Sequence, residues 1–229
     1  MKDITQDYEI KCPKCRTIQK VALHQCIDAE SHPELKELLL TNRINIIDCV
    51  GCEHIFRIDS PMIYRDDPRK IAVLCLPFDP ENMDSSGEPV ESQFTTLQSA
   101  LQSDLDSPHV ELVFSHSELI ERVFMIEHGM DTRIIEYIKY LMHTRNPDQL
   151  DPHAKRLLFN ADQSNEEHLL FIAQDIETRE LEGILQYSRA AYEELDDLFD
   201  QDSLTPDLLE MFPGPRISAH SFLMHEAQG

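Results

Sequence analysis

Cys12-Pro13-Lys14-Cys15 and Cys49-Val50-Gly51-Cys52 say more about the architecture of this chain than any other part of it. Each places two thiols on a tight turn, the geometry in which a pair of sulfurs can grip one ion. Four thiolates complete a tetrahedral shell around Zn²⁺ at about 2.3 Å per bond and leave no position open for water or substrate. Cys12, Cys15, Cys49 and Cys52 are therefore expected to bind a structural Zn²⁺ that holds a domain together rather than one that performs chemistry. The apparent binding energy of such a site, about 10–16 kcal/mol, becomes folding energy for a small domain. Lys11, Lys14 and Arg16 flank the first pair and would partly offset the double negative charge of a zinc–tetrathiolate centre.

Between the pairs lie residues 16–48, a spacer of 33, longer than the roughly 15–20 of a compact zinc ribbon. An inserted strand and helix would fill it. Residues 17–27, with Val21 and Leu23, are expected as the strand. Ser31-His32-Pro33-Glu34-Leu35 reads as a helix start, with Ser31 or His32 as cap and Pro33 in the first turn. That helix should run to about Leu40 and present Leu35, Leu38 and Leu39. Asn45-Ile46-Ile47-Asp48 is a short strand feeding the second pair, and Ile55–Ile58 and Ile71–Leu76 continue as strands. Tyr64-Arg65-Asp66-Asp67-Pro68 between them has the composition of a turn. His54, two residues past Cys52, reads as a surface histidine, and Cys26 and Cys75 as small buried thiols in apolar stretches. A redox reading of the cysteine pairs would need a thioredoxin-like βαβ context, and two pairs in matching contexts argue against it.

Beyond this β-rich unit of residues 1–80, residues 81–95 carry Pro, Gly, Ser and acid and read as a linker. Residues 96–229 then form an acidic α+β region. Val110–Phe114 is a strand candidate, and Ser115-His116-Ser117-Glu118 matches a capping box opening a helix that stops at Gly129. A second helix starts at Asp131-Thr132, places Ile134, Ile135, Ile138 and Leu141 on one side, and ends before Asn146-Pro147. Together they predict a helical hairpin over 116–145. Arg156–Phe159 and His168–Ala173 look like paired strands, with Gly183-Ile184-Leu185 as a third. Ser188 opens an acidic helix through Phe199 with Leu195, Leu198 and Phe199 turned inward, and Thr205-Pro206-Asp207 caps a shorter one. The fold class is α+β throughout.

The Cys-Pro-x-Cys near the start, the Pro33-Glu34-Leu35-Lys36 helix and the second Cys-x-x-Cys resemble the CpXC family of bacterial proteins. The likeness extends through Pro61-Met62-Ile63-Tyr64-Arg65-Asp66-Asp67-Pro68, Glu118–Arg122 and Gly129–Glu136, about the first two-thirds of the chain. It departs at Val50, where the family's name implies Pro. Pro only rigidifies the turn, so metal binding is not put in doubt. The family is known for its paired cysteine motifs, and the resemblance implies no activity.

Composition and motifs narrow the function. The chain is 41% hydrophobic and 28% charged, an ordinary globular mixture. The N-terminus has no apolar segment of a secretory signal, and no apolar run reaches the roughly 18 residues of a membrane span, so a cytoplasmic location is expected. There is no G-x-S-x-G, P-loop, G-x-G-x-x-G or H-E-x-x-H, and the eleven histidines are scattered. The acidic run Glu193–Asp200 lacks the Gly and ligand alternation of an EF-hand loop. Net charge is −23; residues 1–80 hold 11 Lys and Arg against 13 Asp and Glu, the remainder 9 against 30. A field of that sign repels phosphate backbones and attracts basic surfaces. The expected function is protein–protein interaction, non-enzymatic, as an inhibitor or immunity protein for a basic partner. The alternatives are a zinc-ribbon regulator that contacts nucleic acid through Lys11, Lys14, Arg16, Lys20, Arg43, Arg57, Arg65, Arg69 and Lys70, or an enzyme of unknown reaction.

Overall fold

The computed structural model describes residues 5–77, 109–200 and 205–226. The expected linker at 81–95 lies outside them. The chain divides into two compact units, residues 1–120 and 121–229, and no helix among the described residues is long and apolar enough to cross a membrane.

In the first unit β1 (Thr5–Lys11) and β2 (Ile18–His24) form an antiparallel hairpin, Thr5 opposite His24 and Lys11 opposite Ile18. The first cysteine pair sits at its tip. The expected strand over 17–27 is interrupted at Gln25, and β3 (Cys26–Asp28) belongs to another sheet. The break has a cause: Asn45 bonds both backbone groups of His24, and the Gln25 amide side chain donates to Tyr8. Helix α1 (Pro33–Leu40) packs on β3 through Leu35 and Leu39, with Pro33 in its first turn as expected. His32 is its cap residue but makes no capping bond; Asp28 instead accepts from the amides of Glu30 and Ser31. β4 (Ile46–Asp48) and β5 (Ile55–Arg57) form a second hairpin whose tip carries the second cysteine pair.

The first unit also holds a four-stranded sheet of order β3-β6-β7-β8, from β3, β6 (Met62–Asp66), β7 (Ile71–Cys75) and β8 (His109–Val113). β7 is a continuous apolar run, buried from Ala72 to Cys75, as a central strand should be. The turn expected at Tyr64–Pro68 is corrected here: Tyr64, Arg65 and Asp66 are buried strand residues, and the turn falls at 67–70. The charged residues tolerate burial because Arg65 forms a two-pronged pair with Asp67, and Asp66 pairs with Arg69. Cys26 and Cys75 are buried in this sheet and carry no disulfide.

Helix α2 (His116–Glu127) begins in the first unit. Ser115 Oγ accepts from the Glu118 amide, and Glu118 Oε2 reaches the amide of Phe114, one residue earlier than in an ideal capping box. The helix ends at Gly129, φ +63°, where the Met130 amide reaches back to Met125 O. Helix α3 (Thr132–Arg145) is capped by Asp131, which accepts from the amides of Arg133 and Ile134.

The second unit is built on a three-stranded antiparallel sheet of order β11-β10-β9: β9 (Lys155–Asn160), β10 (His168–Asp175) and β11 (Leu181–Ser188). One face, with Phe159 and Phe171 at a ring separation of 5.3 Å, meets Ile134, Ile135 and Ile138 of α3. Helices α4 (Arg189–Asp200), α5 (Thr205–Met211) and α6 (Ala219–Glu226) complete that core with Tyr192 and Phe199, Leu208, and Phe222 respectively, and Phe212 just after α5 joins them. The expected inward face of α4 is corrected at Leu198, which is 44% exposed; Tyr192 takes the buried place.

Candidate metal centre

The two cysteine turns are near copies of one another. The Cys12 amide donates to Thr17 O at 3.0 Å and Cys12 O accepts from the Arg16 amide at 2.9 Å. At the second turn the Cys49 amide donates to His54 O at 3.0 Å and Cys49 O accepts from the Glu53 amide at 2.9 Å. The chain then swings through positive φ at equivalent positions, +64° at Arg16 and +54° at Glu53. Each turn therefore points two sulfurs the same way. Gln19 holds the turns together, donating to Asp48 O and accepting from the Val50 amide. Gly51 completes the fit, since a Cβ there would stand 2.4 Å from Thr17 Oγ1.

The consequence is a cluster of Cys12, Cys15, Cys49 and Cys52 whose sulfurs all lie within 4.8 Å of one another. Cys12 and Cys52 are 3.8 Å apart and Cys15 and Cys49 3.4 Å. A tetrahedron with bonds of about 2.3 Å has edges of about 3.8 Å, so this donor set fits a single ion and can hold one. His54 is not among the clustered groups; it stacks on Phe56.

Proton affinities within the cluster are spread apart. The Thr17 hydroxyl and amide beside Cys15 hold its thiol down to about 6. Burial works against ionising Cys12, but the amides of Cys15 and Lys14 keep it below the ordinary thiol value. At Cys52 the His54 amide pulls downward; burial and the sulfurs of Cys15, Cys49 and Cys12 outweigh it and push that thiol up to about 12. Four sulfurs this close cannot all ionise without a cation between them, which makes an ion the natural complement of the site.

A second polar cluster was not expected from the sequence. In the second unit Lys139 lies between Glu121 and Glu136, 2.8 Å from the latter, and Arg122 stands 4.0 Å from Glu136. All four side chains are buried. Glu121 also accepts from the Phe159 amide and Glu136 from the Ala219 amide, while Arg122 donates to Ile217 O. Burial pushes the Glu121 carboxyl up. Burial would raise Glu136 too, but Lys139 and Arg122 hold it below its ordinary value. Two anions and two cations balance, and three of them also bond backbone groups of strand, helix and loop, so the cluster is a fastening. Its sequence signal was charge on the apolar side of a helix: Glu136 and Lys139 alternate with Ile135, Ile138 and Met142. Among the histidines, His116 is buried, and burial together with Arg57 lowers it to about 4, leaving it neutral.

Fold and site together define a protein organised on paired Cys-x-x-Cys turns that can hold a metal ion. A family model described as CpXC protein matches residues 10–139, more than half of the chain, and the chain belongs to that family. The matched span takes in both cysteine turns and Glu121, Arg122, Glu136 and Lys139. No curated protein and no solved structure matches.

Proposed function

We propose that this is a cytoplasmic, non-enzymatic binding protein whose first unit is fixed by a structural Zn²⁺ and which acts by associating with a basic protein, as an inhibitor or immunity protein would. The observation that carries the reading is the convergence of four sulfurs at tetrahedral spacing. Thiolates favour zinc among abundant divalent ions, and four of them close the shell to reactants. The exposed Lys11, Lys14 and Arg16 around the first turn suit the negative charge of such a centre. The net charge of −23 supports a cationic partner through steering and charge complementarity.

The test has two arms. Elemental analysis of protein purified without added metal should find one zinc per chain. Cross-linking at endogenous expression, followed by binding of the purified partner, should give a cationic protein whose affinity falls as salt rises from 50 to 300 mM. Absence of stoichiometric metal overturns the zinc centre, and a partner bound with no salt dependence overturns the electrostatic reading.

A second reading has its own support. Lys11, Lys14, Arg16 and Lys20 are all exposed on or beside the first hairpin, a basic group of the kind that contacts phosphates. A salt-dependent gel shift with duplex or single-stranded nucleic acid, abolished by charge reversal at Lys14 and Arg16, would favour it over the first.

A further inference from the structure

We infer that the outer edge of β11 is a docking site for an extended Lys- or Arg-rich segment of a protein partner, which adds there as a fourth strand. The inference rests on the reading of this chain as a binding protein for a basic partner and names where that partner engages.

The sheet of the second unit has two edges, and they differ. On β9 the Phe159 amide is taken by the buried carboxylate of Glu121, so that edge is stoppered. On β11 the bond from the Arg189 amide to Glu167 O fixes the alternation of the ladder. Tyr187, Leu185 and Gly183 turn their backbone groups toward β10, and Ile184, Gln186 and Ser188 turn theirs away from the sheet. Among the described residues no backbone group pairs with those three on the outer side.

The edge also lacks the usual protections. Leu181-Glu182-Gly183-Ile184-Leu185-Gln186-Tyr187-Ser188 holds no Pro and no Lys, its one charge, Glu182, is paired with Lys155 of β9, and the one irregularity in its pairing falls at its start, opposite Ala173 and Gln174. Leu181 and Ile184 are 63% and 62% exposed. Ile184 stands opposite Ile172, and Ile172 opposite Leu158, so an apolar row crosses the sheet and ends at the open strand. An added strand would continue that row with its own side chains, the mode of recognition in which main-chain bonds supply affinity and alternate side chains supply selectivity.

Charge selects the occupant. Glu177 and Glu180 are exposed at one end of β11, with Arg179 between them, and Glu166 and Glu167 are exposed at the other, beside Arg189; the acids outnumber the cations at the two ends. A second copy pairing on this edge would bring two acidic rims together; a cationic segment finds complementary charge at both of its ends.

The probe is a capped octapeptide of alternating Val and Lys, titrated into the full-length protein with hydrogen exchange read at single amides. Exchange at Ile184, Gln186 and Ser188 should slow at least tenfold at saturation, and the midpoint should rise with salt. Gln186→Pro removes an outward-facing donor at a position where an edge strand accepts Pro, and should weaken binding about tenfold or more with the ladder to β10 intact. Ile184→Lys should weaken it by repulsion without touching the backbone, which guards against a Gln186→Pro chain that misfolds. Unchanged exchange at the three amides, or equal protection by a control octapeptide with Glu in place of every Lys, overturns the inference. So does sedimentation showing a dimer with those amides already protected, since the occupant is then a second copy. If a cationic partner binds in a salt-dependent way while these amides stay unprotected, the edge assignment fails and the broader reading survives.

Discussion

Gly51→Ala is the sharpest test of how the two cysteine turns meet. Its new methyl would stand 2.4 Å from Thr17 Oγ1, 3.1 Å from Thr17 Cβ and 3.3 Å from Thr17 Cγ2. The nearest of these is about 1 Å inside ordinary contact, so one turn must shift against the other. Thr17 cannot swing away freely, because its carbonyl takes the Cys12 amide and its hydroxyl lies 3.2 Å from Cys15 Sγ. Overpacking of this kind costs roughly 1–3 kcal/mol. Metal binding and folding are coupled in such a centre, so the cost should appear as a loss of about 5- to 150-fold in metal affinity. Competition against a chromophoric chelator at pH 7.5 measures it. Thr17→Ala should weaken binding by itself through the lost hydroxyl, but the double mutant should bind tighter than the sum of the two losses predicts, by about 1 kcal/mol or more. Additive losses, or an unaltered Gly51→Ala protein, would show that Thr17 and Gly51 do not meet and that the turns converge differently.

Metal removal should expose the first unit selectively: after chelation, limited proteolysis should cut within residues 5–77 while the Phe159–Phe171 core of the second unit persists. Lys139→Met leaves Glu121 without its cation and Glu136 with Arg122 alone and should cost about 3–5 kcal/mol in urea denaturation; joint replacement of Glu121 and Lys139 by Gln and Met, which leaves Glu136 beside Arg122, should cost less. For Asp28, burial opposes ionisation, but the Ser31 and Glu30 amides hold the carboxyl below its ordinary value of 3.8. The unfolded chain therefore binds the proton first as pH falls, so this contribution is complete above the ordinary value and is lost as pH drops through the folded one. Asp28→Asn should accordingly flatten the acid limb of the stability profile between about pH 5 and pH 2 relative to the parent.

What could be read in the residues was whatever is local. The cysteine turns are set by spacing within four residues, α3 by its Asp131 cap and period, and the β9–β10 pair by alternation around a polar turn. What escaped was long-range compensation. Tyr64-Arg65-Asp66 looks like a turn because charge ordinarily means surface, and only the partners Asp67 and Arg69 allow it to be buried in a strand. Glu121 carried no warning that its partners lie at Lys139 and Phe159. The break at Gln25 needs Asn45, twenty residues on, to explain it.

The parallel pairing of β7 with β8 has a consequence for the order of assembly. Ile71 meets His109, a span of about 38 residues whose closure costs on the order of 3 kcal/mol in chain entropy. A chain emerging from the ribosome has both cysteine turns in hand once residue 52 is out, yet β7 must wait for residue 113 before its second neighbour exists. Ion capture can thus precede completion of the central sheet, and a cell starved of metal during synthesis would leave a nascent chain with neither anchor at that stage.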